Sequence, residues 1–277
     1  MKRLLVVGFG DIARRAAPLL ASRFKIVRAA RRDGFDLDRP ETLTPGRVDA
    51  LLHLAPPPGE GDRDTRTANL LAALETRRIL PARIVYVSTS GVYGDCGGAL
   101  VDEARPIAPQ TARARRRADA ERLLALWCSS HALALVILRV PGIYAADRLP
   151  LARLRAGSPV LRAEDDVYTN HIHADDLAAI AARALEERVP EGIYNAADDS
   201  EIRMADWLEL VAERSGLPRP PRLPRAQVKT LIPAELYSFM SESRRLDNRR
   251  LKRDLGVKLR YPTVYEGLEH EHPLGVD

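Results

Sequence analysis

The sequence predicts an α/β fold of the Rossmann type, a doubly wound parallel sheet with a smaller C-terminal substrate lobe. Three observations predict it. Apolar runs of strand length alternate with amphipathic stretches of helix length. The first run passes into a helix through Gly8-Phe9-Gly10, and the alternation loosens after Pro141.

Taken in order, Arg3 to Val7 reads as a buried strand, and the helix after the glycine turn carries Ile12, Ala16, Leu19 and Leu20 on its apolar face. Further strands are expected at Lys25–Ala30, briefly at Gly34–Leu37, and at Val48–Leu54. A helix over 65–78, a strand at Arg83–Ser88, a long helix over Ala112–Cys128 and a strand at Leu133–Val140 follow. Beyond Pro141 the pattern predicts a helix over Leu177–Leu185, with Leu177, Ile180, Ala181, Ala184 and Leu185 on one face, and another starting near Met204. The run 218–224 contains four prolines and reads as a stiff extended connector. Residues 1–144 are therefore expected to form the dinucleotide-binding domain, with parts of 165–200 returning to it. Residues 145–277 should build mainly the substrate lobe.

A chain of 277 residues with 45% hydrophobic and 29% charged residues can bury a sizeable core, which excludes a disordered protein. The net charge of +5 comes almost wholly from arginine, the lysines being Lys2, Lys25, Lys229, Lys252 and Lys258. Those arginines are scattered and not interleaved with aromatics, so no nucleic-acid partner is expected and an anionic small molecule suits the charge better. Cys96 and Cys128 cannot build a disulfide framework and lack metal-ligand spacing, which points to a reducing cytoplasm. With the first strand beginning near Met1 and no apolar run of spanning length, neither a signal peptide nor a membrane association is expected.

Gly8-Phe9-Gly10-Asp11-Ile12-Ala13 follows the G-x-G-x-x-A form of a dinucleotide fingerprint. The first glycine permits the tight turn, the second lets backbone approach a pyrophosphate, and Ala13 keeps helix and strand close. Unpaired N–H groups where Asp11 and Ile12 open the helix attract phosphate. The plainer alternative is a glycine turn made for packing alone. About twenty residues on, an acidic residue would read a ribose 2′-hydroxyl, whereas this chain has Arg31-Arg32, whose guanidinium groups suit a 2′-phosphate. NADP is thus expected, with NAD as the alternative that Asp33 would serve; Arg31 and Arg32 could also be a solvated strand end.

Further motifs appear in order: Asp36-Leu37, His53-Leu54-Ala55-Pro56, Ser88-Thr89-Ser90-Gly91-Val92-Tyr93-Gly94, Arg139-Val140-Pro141-Gly142-Ile143-Tyr144, His171-Ile172-His173-Ala174-Asp175-Asp176-Leu177, and Tyr194-Asn195-Ala196-Ala197-Asp198. With Gly8-x-Gly10-x-x-Ala13 at the start and 248–256 at the end, the chain resembles the extended short-chain dehydrogenase/reductases, more narrowly the NAD-dependent epimerase/dehydratase family. The resemblance covers nearly the whole chain. It implies that Asp36 and Leu37 face the adenine, that Leu54, Ala55 and Pro56 run past ribose and pyrophosphate, and that Pro141 also lies on the cofactor side. It puts Thr89 at the catalytic Ser/Thr position, with Ser90 beside it toward substrate. The alternative for both hydroxyls is that they satisfy strand-end backbone.

The family dyad is Tyr-x-x-x-Lys ahead of a glutamate. With Glu121 setting the register, Arg117 stands in place of the lysine and Arg113 in place of the tyrosine, on one helix face by i,i+4 spacing. A tyrosine exchanges a proton with substrate because its pKa is lowered toward neutrality, whereas arginine, with a pKa above about 12, donates hydrogen bonds but makes a poor base. Arg117 would still hold the nicotinamide ribose and Arg113 would contact substrate, the alternative being a solvent-exposed, arginine-rich helix face beside a pocket empty of chemistry. Tyr93 and Tyr144 are expected to be packing residues. Arg244 and Arg245 would join Arg113 in an anion-binding wall. No metal site is expected: His171, His173, Asp175 and Asp176 find no further ligand signalled elsewhere, and an Asp before Leu177 is better read as a helix N-cap. His53 reads as a satisfied core residue.

These observations lead to an NAD(P)-binding oxidoreductase or epimerase-like protein acting on a small polar, sugar-like or anionic substrate. The rival is a catalytically silent NAD(P)-binding sensor or scaffold, which the missing Tyr-Lys pair favours. A homodimer paired through the 112–128 helix is a further possibility by resemblance.

Overall fold

The computed structural model describes residues 1–44 and 46–270. Six strands, β1 (Lys2–Val7), β2 (Phe24–Ala29), β3 (Ala50–His53), β4 (Arg83–Thr89), β5 (Ala134–Val140) and β6 (Gly192–Asn195), form one sheet in the order β6-β5-β4-β3-β1-β2. Every neighbouring pair is parallel. Parallel neighbours need crossovers, and these carry α1 (Asp11–Leu20), α2 (Thr65–Thr76), α3 (Ala112–Ser130) and α4 (Ala174–Ala184). Helices α1 and α4 pack together against one face, and α2 and α3 against the other.

The sequence of β1 shows why both faces must be covered. Leu4 and Val6 point into one core while Leu5 and Val7 point into the other, so the strand has no polar side to offer water. From β1 the chain steps outward to β2, then crosses back to place β3 on the other side of β1. A crevice therefore opens at the C-terminal ends of β1 and β3, where strand order reverses.

Much of the later half of the chain surrounds a third apolar cluster that includes Leu154, Val160, Leu161, Trp207, Leu208 and Met240, the helix α5 (Met204–Arg214) supplying several of these. The proline-rich connector is extended, and its Arg222–Leu223 pairs in parallel with Val160–Leu161. Midway along α3 the Glu121 carboxylate accepts hydrogen bonds from Ser88 Oγ on β4 (2.5 Å) and Arg139 Nη2 on β5 (2.8 Å). This buried ion pair anchors the helix that carries Arg113 and Arg117.

Three local expectations are corrected. Gly34–Leu37 is not a strand: Arg31–Asp33 makes a single 3-10 turn and Gly34 turns left-handed. Phe35 and Leu37 are buried by packing, which produced a strand-like apolar alternation without a ladder. Leu19 lies half exposed on α1, off the buried stripe of Ala13, Ala16 and Leu20. The N-cap of α4 is His173, whose Nδ1 accepts the Asp175 N–H; Asp176 lies inside the helix and its carboxylate accepts the Arg260 and Tyr261 N–H groups.

Candidate functional site

At the switch point the turn after β1 meets the end of β3. Gly8 has φ +86°, and a Cβ there would sit 2.5 Å from Ala55 N and 2.7 Å from Ala55 Cα, so the close approach of the two segments requires glycine. A Cβ on Gly10, the N-cap of α1, would meet nothing within 4 Å, and no side chain caps this helix start. The turn thus presents bare backbone and uncapped N–H groups to an open cradle, the geometry a pyrophosphate needs.

A cavity of about 420 Å³ lies over this turn and is lined by Gly8, Phe9, Gly10, Arg31, Arg32, Asp36, Leu37, Leu54, Ala55 and Pro56. Residues read from four separate stretches of sequence therefore meet in one place. The Asp11 and Ile12 side chains lie outside it. Asp11 bonds Arg15 (3.0 Å) and Arg148 (3.2 Å), and Ile12 packs into the core beneath α1.

Partners divide the arginines at the far end of this cavity. Arg31 is 3.5 Å from the Asp36 carboxylate and 3.0 Å from that of Asp38. Arg66, a lining residue with no signal in the sequence, grips Asp38 with two bonds of 2.8 and 2.7 Å, holding that carboxyl below its usual range. Arg32 instead donates to the Phe9 carbonyl (3.0 Å) and has no carboxylate partner among the described residues. Asp33 faces Arg28 (3.3 Å).

A second cavity of about 260 Å³ opens beyond β4 and β5, between the start of α3 and the C-terminal lobe. Thr89, Ser90, Arg113, Pro141 and Arg244 line it, together with Arg153, Tyr168, His171, Trp207, Phe239 and Glu242. The Thr89 oxygen accepts the Gly91 N–H at 3.2 Å, so the hydroxyl does serve the strand-end backbone, yet its own proton stays available to a ligand. The Arg113 guanidinium lies 4.2 Å over the Phe239 ring. Arg117 does not line this cavity. Its Nη1 donates to Tyr86 OH (3.0 Å), the Val87 carbonyl (3.0 Å) and the Ala55 carbonyl (3.4 Å), reaching from α3 toward the first cavity.

The expected wall of three arginines is only partly assembled. Arg244 is matched by Glu242 at 2.9 Å and also bonds the Gly94 carbonyl. Arg245 turns away from the cavity, donating to the Gly98 carbonyl (3.0 Å), pairing with Glu201 (3.3 Å) and stacking on Tyr168. Arg153 takes its place, and sequence spacing gave no hint of it because it reaches the cavity from a short helix of the later lobe.

The tyrosines and histidines are built into the core. Tyr93 OH donates to Asn195 Oδ1 (2.8 Å) and burial pushes its phenol up; Tyr144 is buried beside Trp207. Burial holds His53 and His171 neutral, each pushed down to about 3, with the charge of Arg117 a second cause at His53. His53 Nε2 meets Thr67 Oγ1 at 3.0 Å, and His171 lies on Trp207 with ring centres 4.3 Å apart. Among the described residues no group of three His, Cys, Asp or Glu side chains could hold a metal, and no helix is long and apolar enough to cross a membrane.

Asp198, whose N–H donates to the His171 carbonyl, is pushed up to about 8, first by burial and then by Asp199 and Asp176, against bonds from Ser200. Its carboxyl keeps a proton that the unfolded chain releases above about pH 4. The folded state therefore binds more protons between about pH 4 and 8, and stability falls as pH rises through that window. Asp198→Asn is expected to remove this slope. Its melting temperature relative to wild type should be several degrees higher at pH 8 than at pH 5, and an equal difference at both pH values would show that the carboxyl is not held protonated.

Residues 46–197 match the model of the NAD dependent epimerase/dehydratase family. A Streptomyces protein, 3-diazoavenalumate denitrifying reductase, is 30% identical over 249 residues, which is 84% of this chain and 80% of that one. Among solved structures, a conserved protein of unknown function from Silicibacter pomeroyi is 31% identical with a TM-score of 0.79, covering 97% of each chain. RMD from Pseudomonas aeruginosa, solved with NADPH, shares the fold at 20% identity and a TM-score of 0.74, again over 97% of each chain.

Proposed function

The chain belongs to the NAD dependent epimerase/dehydratase family, and from that premise we propose that it is a nicotinamide-dinucleotide oxidoreductase, specific for NADP, acting on a small polar substrate with an anionic group. The observation that carries the cofactor assignment is the first cavity, where ten residues read as dinucleotide contacts surround a turn of bare backbone.

In this reading the Gly8–Gly10 turn and the first N–H groups of α1 hold the pyrophosphate. Asp36 and Leu37 flank the adenine, Leu54 to Pro56 run along the ribose, and Arg32, the guanidinium without a carboxylate, takes the 2′-phosphate. Arg117 is aimed by Tyr86 and Val87 toward the nicotinamide ribose, with Pro141 alongside. A bound nicotinamide supplies or accepts hydride. The Thr89 hydroxyl donates a hydrogen bond to a substrate oxygen, keeping its proton, and Arg113 binds the substrate's negative charge.

Neither Arg113 nor Arg117 offers the proton that a family tyrosine would, and such transfer is worth about 10²–10⁴-fold in rate. Substrates that accept hydride without a simultaneous proton from the protein therefore suit the site best. The same replacement favours a second reading, a silent dinucleotide sensor. The reductase activity in the Streptomyces relative's name supports the enzyme over it.

NADPH and NADH titrated separately by intrinsic fluorescence test the cofactor reading. NADPH should bind more tightly, and Arg32→Ala should weaken it roughly tenfold or more, the worth of a charge-assisted hydrogen bond, while leaving NADH unchanged. Arg31→Ala should do less, because Asp36 and Asp38 already neutralise Arg31. Equal affinity for both nucleotides, unmoved by either substitution, removes the NADP assignment.

A further inference from the structure

Resting on that oxidoreductase reading and extending it to substrate class, we propose that the second cavity selects a planar aromatic substrate bearing a carboxylate, held by Arg113 and Arg153. The cavity presents three guanidinium groups and one carboxylate, and that carboxylate already neutralises Arg244. Arg113 has no hydrogen bond or ion pair among the described residues, only the face of Phe239. Arg153 donates to the Pro159 carbonyl (3.3 Å) and lies 3.9 Å from Met240 Sδ, and its Nε is buried without a partner. Phe239 and Met240 are consecutive, so the two unpaired cations converge on one stretch of chain.

A guanidinium withdrawn from water and from every carboxylate is unfavourable until an anion completes it. Its planar fork matches a carboxylate with two parallel bonds. The lining also offers the flat faces of Phe239 and of Trp207, the latter stacked on the neutral His171, beside hydroxyls such as Thr89 and Ser90. At about 260 Å³ the cavity falls below the roughly 300–1,000 Å³ typical of drug-sized ligands, which suits one ring and its carboxylate better than a nucleotide sugar.

Cinnamate, its uncharged analogue cinnamamide and UDP-glucose, titrated calorimetrically into the full chain with and without NADPH, test the proposal. Cinnamate should bind at least about tenfold more tightly than cinnamamide, and Arg113→Met and Arg153→Met should each remove that margin while NADPH affinity stays within about twofold. Thermal melts check folding. Should Arg153→Met not fold, Arg113→Met decides, since its removal breaks no hydrogen bond. Equal binding of acid and amide, a margin unmoved by Arg113→Met, or binding of UDP-glucose in preference to cinnamate overturns the proposal. Discrimination for the carboxylate in a protein that binds neither NADPH nor NADH would leave the anion site standing and remove the oxidoreductase reading instead.

Discussion

Gly8→Ala is expected to lower dinucleotide affinity by about a hundredfold or more and to destabilise the protein as well. The new Cβ would stand 2.5 Å from Ala55 N, a backbone atom that can retreat only by displacing the end of β3. The left-handed φ of +86° adds strain of order 1–3 kcal/mol for a side-chain-bearing residue. Misplacement of a binding segment by about 1 Å can itself cost about 10²-fold. Gly10→Ala separates the two effects. Its Cβ meets no protein atom, so the melting temperature should hold while NADPH binding falls. NADPH titration and thermal unfolding of both variants supply the check. Binding within about twofold of wild type in both would place the dinucleotide elsewhere.

Glu121→Ala should produce the largest loss of stability. The Glu121 and Arg139 side chains are 7% and 4% exposed, and the carboxylate also accepts from Ser88. Removing it strands a buried guanidinium, which costs about 3–5 kcal/mol. In a protein of this size that corresponds to roughly 6–20 °C in melting temperature. Because the same pair anchors α3 to β4 and β5, Arg113 and Arg117 would lose their fixed aim. Replacing Glu121 and Arg139 together by apolar residues should recover part of the loss, since the desolvated charge disappears with its partner. A single-variant shift below about 2 °C would mean that the pair adds little to anchoring the helix.

The sheet was legible from short stretches. Leu4 to Val7 carry apolar side chains to both faces, so a buried parallel strand follows from four consecutive residues. The glycine turn was equally local, since its φ and its close approach belong to one position. Gly34 to Leu37 misled for the converse reason: alternation of buried residues records that side chains are covered and does not say whether the backbone pairs with a neighbour. The Asp176 carboxylate looked like a helix cap, but it bonds the N–H groups of Arg260 and Tyr261, more than eighty positions away.

The sequence by itself determined the strand and helix alternation, the phosphate-ready turn and the loss of a tyrosine-lysine pair, because each is carried by neighbouring residues through periodicity, backbone conformation or side-chain chemistry. Only the tertiary structure decided which arginines keep an available charge. Arg31, Arg139 and Arg244 are neutralised by Asp36 and Asp38, Glu121, and Glu242, while Arg32, Arg113 and Arg153 form no ion pair among the described residues. A guanidinium is the same group wherever it stands in the chain; the fold, by bringing an acid within about 4 Å or keeping it away, sets whether that charge holds the protein together or waits for a ligand.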